Sequence, residues 1–211
     1  MNIIESLEWR YACKKFDTDK TVSEEKLTVL KQAFNLTATS FGLQPIKLII
    51  IQNKELQQQL VPHSFGQRQV ANASHLLVIC IQDSFTLEDI DNYFDLEKDI
   101  RGTSETIIAP FRKQLKDLYA TKSTIEIQES AIRQAYIALG NLMTVCAIEK
   151  IDSCPMEGFI APKFDEILAL KEKNLRSVLL LPIGYRAEDD FMQKLKKVRK
   201  PISETILNFQ Q

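Results

Sequence analysis

Apolar residues along this chain change period from segment to segment, and the changes mark out its elements. Ile3, Ile4, Leu7 and Tyr11 recur at three- and four-residue intervals with Glu5, Glu8 and Arg10 off the stripe, which predicts a short first helix. Ser23 suits an N-cap, Glu24 and Glu25 suit the turn behind it, and Leu27, Leu30, Ala33 and Phe34 form one face of a second helix stopping near Asn35. Three short, continuous, branched runs, Ile46–Ile51, Leu76–Ile81 and Val178–Ile183, predict buried strands. Between the last two, the chain is mainly helical. From Ser123 to Lys150, Ile127, Ala131, Ala135, Leu139, Leu142, Met143 and Cys146 hold a helical period for longer than a surface helix requires, so this is the expected central helix. Pro110 predicts a break or a helix start in the segment before it, and Pro162 predicts the first turn of a short helix through Leu168. A brief strand is expected just ahead of Cys154. Few strands and many helices, not in strict alternation, indicate an α+β fold, and no linker or repeat divides residues 1–211 into more than one domain.

Composition then narrows the function classes. With 27 Lys and Arg against 28 Asp and Glu, no overall field favours nucleic acid or an anionic membrane, so any recognition by charge is local. Cys13, Cys80, Cys146 and Cys154 stand far apart and the histidines are His63 and His75, which leaves no metal-ligand spacing; no metal site is expected, and the cysteines are expected to be reduced. His75 precedes a buried run and is expected to be a hydrogen-bonded structural residue. The N-terminus carries Glu5 and no long apolar run, and the apolar runs elsewhere are far shorter than a bilayer span. The expectation is a soluble, cytoplasmic protein that binds neither membrane nor nucleic acid.

Local charge gathers at two places. Arg10, Lys14 and Lys15 crowd "WRYACKKF", residues 9 to 16; on a helix Arg10 and Lys14 would share a face, where like charges cost about a few tenths of a kcal/mol. "KLKKVRK", residues 194 to 200, precedes Pro201, which favours an extended approach in which Lys197 and Arg199 point the same way. A solvated basic tail is one reading, and a phosphate held by both ends of the chain is the other. Neither a G-x-G-x-x-G nor a G-x-x-x-x-G-K-[ST] loop is present, so a phosphate would be held by side chains. "CPMEGF", residues 154 to 159, is either a tight turn or a place where N–H groups near Glu157 and Gly158 closely approach a flat, acceptor-rich ligand.

Arg10-x-x-x-Lys14-x-Phe16, Thr39-Ser40 followed by Gln44-Pro45, "NASHLLVIC" at 72 to 80, "PMEGF" at 155 to 159, Pro182-x-Gly184 and Lys197-x-Arg199 stand in an order and spacing that resembles FMN-dependent nitroreductases. The resemblance is nearest to the oxygen-insensitive NAD(P)H nitroreductase and dihydropteridine reductase branch, and residues 82 to 125 match least. It implies a nitroreductase-like fold, a central mainly antiparallel sheet flanked by helices, in a domain-swapped homodimer with two FMN sites each built from both chains. It further implies that Arg10, Lys197 and Arg199 hold the FMN phosphate, with Tyr11, Ala12 and Pro155 in the same cofactor-binding motifs. Lys14 is implied at the pyrimidine edge, where its charge tunes the reduced flavin and gives it a catalytic role. Glu157 and Gly158 are implied to offer backbone N–H groups near N5 and O4, and Thr39 and Ser40 to arrive from the partner chain. Gly66 and Gln69 stand where relatives carry Asn and Lys beside the ring, Ala12 replaces a frequent Ser, and Ile46 replaces a common Trp. Phe41 and Phe65 are implied walls of a substrate channel, whereas Asn141 is expected to be structural.

The activity implied is FMN-dependent NAD(P)H oxidoreduction by a ping-pong hydride mechanism, with NADH or NADPH as donor and a nitroaromatic, quinone, pteridine or flavin as acceptor. The alternatives are a flavin-binding storage or sensing protein with little turnover, and an interaction module that uses the basic tail. Ile202, Ile206, Leu207 and Phe209 load the C-terminus with apolar side chains, expected either to exchange into a partner's sheet or to fold back on their own core.

Overall fold

The computed structural model describes residues 2–209. Among these residues a four-stranded sheet is built from β1 (Ile46–Ile51), β2 (His75–Gln82), β3 (Asp152–Ser153) and β4 (Leu175–Gly184), ordered β1-β2-β4-β3 with every neighbouring pair antiparallel. The three long strands and the brief one stand where the apolar runs predict them, with β4 starting three residues earlier, at Leu175 rather than Val178. The run in β2 is continuously apolar because both its faces are covered. Leu77, Ile79 and Ile81 join one core cluster with residues of α2 (Glu24–Asn35) and α7 (Thr124–Ile148), while Leu76, Val78 and Cys80 join a second with residues of α3 (Lys54–Leu60), α4 (Gln69–Asn72) and α8 (Ala161–Ile167).

Ser23 accepts from the Lys26 N–H to cap α2, which ends at Asn35 as expected, and Pro162 sits in the first turn of α8. Ser123 caps α7 in a reciprocal box with Glu126. The small residues Ala131, Ala135 and Ala138 let α7 lie close to the sheet. By length and composition alone α7 is apolar enough to cross a membrane, although the chain's uninterrupted apolar runs are short, as expected. A helical period places polar residues between apolar ones, so that length is reached without an uninterrupted run; here the apolar face belongs to the core.

The poorly matched stretch forms a helical hairpin, α5 (Leu87–Arg101) and α6 (Glu105–Ala120), around its own small core of Ile90, Phe94, Ile108, Leu115 and Tyr119 with Leu43. Gly102 turns the chain between them with φ +66°, a left-handed C-cap that suits glycine. Pro110 lies inside α6 and neither breaks nor starts it, a correction to the expectation; its ring removes one backbone donor, and the packed Ile108 and Leu115 hold the helix together around it.

The termini bring one further correction and rule out one of the readings of the tail. Helix α1 (Ile3–Trp9) ends before Arg10, whose backbone is extended (φ −73°, ψ 145°), so Tyr11 does not continue the stripe and Arg10 and Lys14 share no helical face. Ile3, Ile4 and Leu7 are exposed, and Ser6 is the residue α1 buries. At the other end, a short helix α9 (Ile202–Thr205) leads to an exposed tail, with Phe209 at 93% exposure, so the tail does not fold back on its own core.

Candidate functional site

Because α1 stops at Trp9, residues 10 to 15 run on as extended chain beside β3. Ala12 bridges Ser153 in parallel, and the Cys13 N–H donates to the Ser153 carbonyl at 3.2 Å. The chain's far end returns to the same place: after the 3-10 turn Phe191–Lys194, residues 195 to 199 pass over Arg10. Arg10, Lys197 and Arg199 thereby line one cavity of about 470 Å³ together with Trp9, Tyr11 and Glu8.

Three cations in one cavity repel one another. Burial, then Arg199, lowers the pKa of Arg10; burial, then Arg10 and Arg199, lowers that of Lys197. The buried Arg10 Nε has no acceptor among the described residues. The Lys197 ammonium donates to the Leu7 carbonyl at 2.8 Å and to the Arg10 carbonyl, closing the C-terminal end of α1 where a cation is favoured. Arg199 Nη1 donates to the Val198 carbonyl at 2.6 Å. Lys14 is exposed, with Nζ 4.0 Å from the Cys154 thiol, while the Lys15 ammonium pairs with Asp189.

Beyond Cys154, Pro155 enters a turn anchored by Met156, which pairs with Leu180 through bonds of 2.9 and 3.0 Å. The Glu157 carboxylate accepts from the Tyr136 hydroxyl at 2.7 Å. The Gly158 carbonyl accepts from Gln67 Nε2 at 3.0 Å, and a Cβ at position 158 would stand 3.0 Å from that nitrogen, so a side chain there would push the Gln67 amide aside. The N–H groups of Glu157 and Gly158 have no acceptor among the described residues. Phe65 (φ +54°) and Gly66 (φ +71°) make a left-handed turn that brings the exposed Phe65 ring beside Gly158; such a φ is unusual for a bulky residue. Gln69, half-buried, opens α4 just beyond.

Thr39, Ser40 and Phe41 stand elsewhere. Thr39 Oγ1 accepts from the Gln44 N–H at 3.1 Å, and the Ser40 N–H donates to Gln134 Oε1 at 3.0 Å. Phe41, at φ +57°, packs edge-on to Phe111 of the α5–α6 hairpin. No hydrogen bond among the described residues joins this loop to the residues lining the Arg10 cavity or to the 155–159 turn within the chain. Asn141 donates to the Ala33 carbonyl and to Thr37 Oγ1, and the buried His75 sits 2.9 Å from the Ser74 hydroxyl with a pKa lowered by burial and then by Lys54; both have the structural surroundings expected.

Sequence reasoning missed several residues here. The Arg186 guanidinium lies between the Trp9 and Tyr11 rings, at 4.2 and 4.5 Å, and pairs with Asp152 at 2.5 Å. Gln67 and Tyr136, which hold the 155–159 turn, carry no local signal. Asp190, within "EDD", reads as one of a solvated acidic run until its burial is seen.

Comparison with known proteins is consistent across its routes. The family model described as "Nitroreductase family" matches residues 7–185. A Staphylococcus haemolyticus protein provisionally named an NAD(P)H nitroreductase is 32% identical over 213 residues, covering 97% of this chain and 95% of its own length. A Staphylococcus epidermidis protein named in the same way is 31% identical over 204 residues, 92% of each. Among solved structures, a Bacillus subtilis protein provisionally named a nitroreductase superposes with TM-score 0.86 at 19% identity, covering 98% of both chains. An Exiguobacterium sibiricum protein so named, solved in complex with FMN, gives TM-score 0.84 at 20% identity, covering 99% of this chain and 98% of that one.

Proposed function

The chain belongs to the nitroreductase family, and from that premise we propose that it is an FMN-dependent NAD(P)H oxidoreductase. The observation that carries the reading is the convergence of Arg10, Lys197 and Arg199 on one cavity, with Arg10 Nε buried and without an acceptor. A phosphate monoester fits that need: it brings charge-assisted acceptors and offsets the mutual repulsion of the three cations. Tyr11 and Ala12 flank Arg10 on the same extended segment, and Pro155 leads into the turn whose Glu157 and Gly158 N–H groups are available to acceptor atoms of the ring. Gly66, Gln69 and Phe65 border that turn. Lys14, exposed next to Cys154, is the residue assigned to favour negative charge on the ring, which is its catalytic contribution.

FMN, when bound, would supply the hydride-transfer chemistry between NADH or NADPH and an acceptor such as a nitroaromatic, quinone, pteridine or flavin in two half-reactions. The protein's own part is to bind, orient and tune. Thr39 and Ser40, remote from the cavity within one chain, are assigned to the site of a second copy in a homodimer, and Phe41 and Phe65 to the walls that the acceptor passes. The reading is of a soluble, cytoplasmic enzyme acting on small molecules.

Purified protein should be yellow with about one FMN per chain, bleach under anaerobic NADH or NADPH, and recover its colour on addition of a quinone. Colourless protein that takes up no FMN on titration overturns the reading. FMN that is bound but not reduced by either nucleotide points instead to storage or sensing.

A further inference from the structure

Asp190 is a buried carboxylate, 1% exposed, whose two oxygens are divided between the two ends of the chain. Oδ2 accepts from the Lys14 N–H at 2.8 Å, the Lys15 N–H at 3.1 Å and the Tyr11 hydroxyl at 3.0 Å, with the Cys13 thiol at 3.5 Å. Oδ1 accepts from the Met192 N–H at 2.9 Å and caps the turn Phe191–Lys194. That turn leads straight into residues 195 to 199, which share the cavity of about 470 Å³ with Arg10. This side chain therefore ties the segment that carries Arg10 and Lys14 to the turn that leads into Lys197 and Arg199, alongside the Ala187 N–H on the Lys15 carbonyl, the Lys15–Asp189 pair and the Lys197 bonds to the Leu7 and Arg10 carbonyls.

Burying a carboxylate is costly unless several donors meet it. Burial pushes the Asp190 carboxyl up, but the N–H groups of Met192, Lys14 and Lys15 outweigh it and hold it below the ordinary 3.8. The Lys15 ammonium is engaged by Asp189, so Lys15 offers Asp190 its backbone N–H and not its charge. The cap on Met192 accounts for Oδ1 locally, whereas the bonds of Oδ2 reach across to residues 11–15, beside the cavity in which three like charges gather.

We propose that Asp190 is a positioning residue of the cofactor site, a clamp that locks residues 10–15 against residues 191–199 so that Arg10, Lys197 and Arg199 are already assembled when the phosphate arrives. The inference rests on the flavin reading above. Preassembly shifts the cost of bringing like charges together from the binding step to folding, and the clamp acts most on the end of the cofactor that those cations would hold.

The test compares FMN with riboflavin, which lacks the phosphate, on full-length protein stripped of flavin. Quenching of Trp9, the chain's single tryptophan and part of the cavity wall, gives the readout. The wild-type protein should prefer FMN. Asp190→Asn is nearly isosteric but turns one oxygen into a donor facing donors, and it should narrow the FMN-over-riboflavin preference by about tenfold or more. Tyr11→Phe removes one of the Oδ2 partners, should narrow the preference by a smaller factor, and decides the matter if the Asn variant does not fold. A general structural defect would weaken both flavins alike, so equal weakening, or an unchanged preference in a folded variant, overturns the clamp while leaving the flavin site standing. A wild-type protein with no preference for FMN removes the phosphate site and the clamp with it.

Discussion

Lys197 and Arg199 stand two residues apart yet do different work. The Lys197 ammonium is held on the Leu7 and Arg10 carbonyls, whereas Arg199 reaches only its neighbour's carbonyl and remains available to an anion. Arg199→Ala should therefore weaken FMN binding by about 1.5–3 kcal/mol, the loss of a hydrogen bond between charged groups, and leave thermal stability nearly unchanged. Lys197→Ala should weaken binding and also lower the melting temperature, because it uncovers the C-terminal carbonyls of α1. Fluorescence titration and thermal melts separate the two effects. An unchanged FMN dissociation constant in the double variant would return residues 194–200 to the status of a solvated basic tail.

Elements here were legible where their signals are local. The helical period from Ser123 onward marks α7 in the sequence, and the structure adds a Ser123–Glu126 box at its start, with the Glu126 carboxyl held below its ordinary value by the Ser123 N–H and hydroxyl. Ser123→Ala should cost about 1 kcal/mol. For a domain of this size that corresponds to a fall of roughly 2–4 °C in melting temperature by circular dichroism. No measurable change would mean that packing alone sets the end of α7. Pro110 shows the opposite case: a local breaker signal was overruled by tertiary contacts, because Ile108 and Leu115 on either side of it are buried against α5.

The molecule as a whole leaves apolar surface uncovered. Among the described residues β1 pairs with β2 alone, and its residues line a groove of about 640 Å³ together with Leu56, Leu168 and Leu175. Ile3, Ile4 and Leu7 at one terminus, and Ile202, Leu207 and Phe209 at the other, are exposed as well. An open sheet edge and large apolar patches are liabilities in an isolated chain, and a second copy that exchanges its tail would cover both. Light scattering should report a dimer. Deletion from Pro201 onward should give monomer or aggregate together with loss of FMN, since Thr39 and Ser40 are assigned to the other copy's site. A monomer of the full chain that still holds FMN would overturn both the exchanged tail and the two-chain site.

The strands at residues 46, 76 and 178 and the cap at Ser23 were readable from residue order, whereas the grouping of Arg10, Lys197 and Arg199 rested on the family resemblance. Backbone geometry imposes periods of two and 3.6, and caps and charges act within a turn of where they stand, so such features are written locally. The family resemblance carried the candidate site further, to the 155–159 turn. What residue order did not disclose was the early end of α1, the carbonyls that engage Lys197, the Arg186 stack and above all Asp190, whose partners lie about 180 residues away at Tyr11, Lys14 and Lys15. A carboxylate in an acidic run looks solvated until the fold buries it. Which donors then meet it depends on which segments the sheet brings together, and only the tertiary structure decides that.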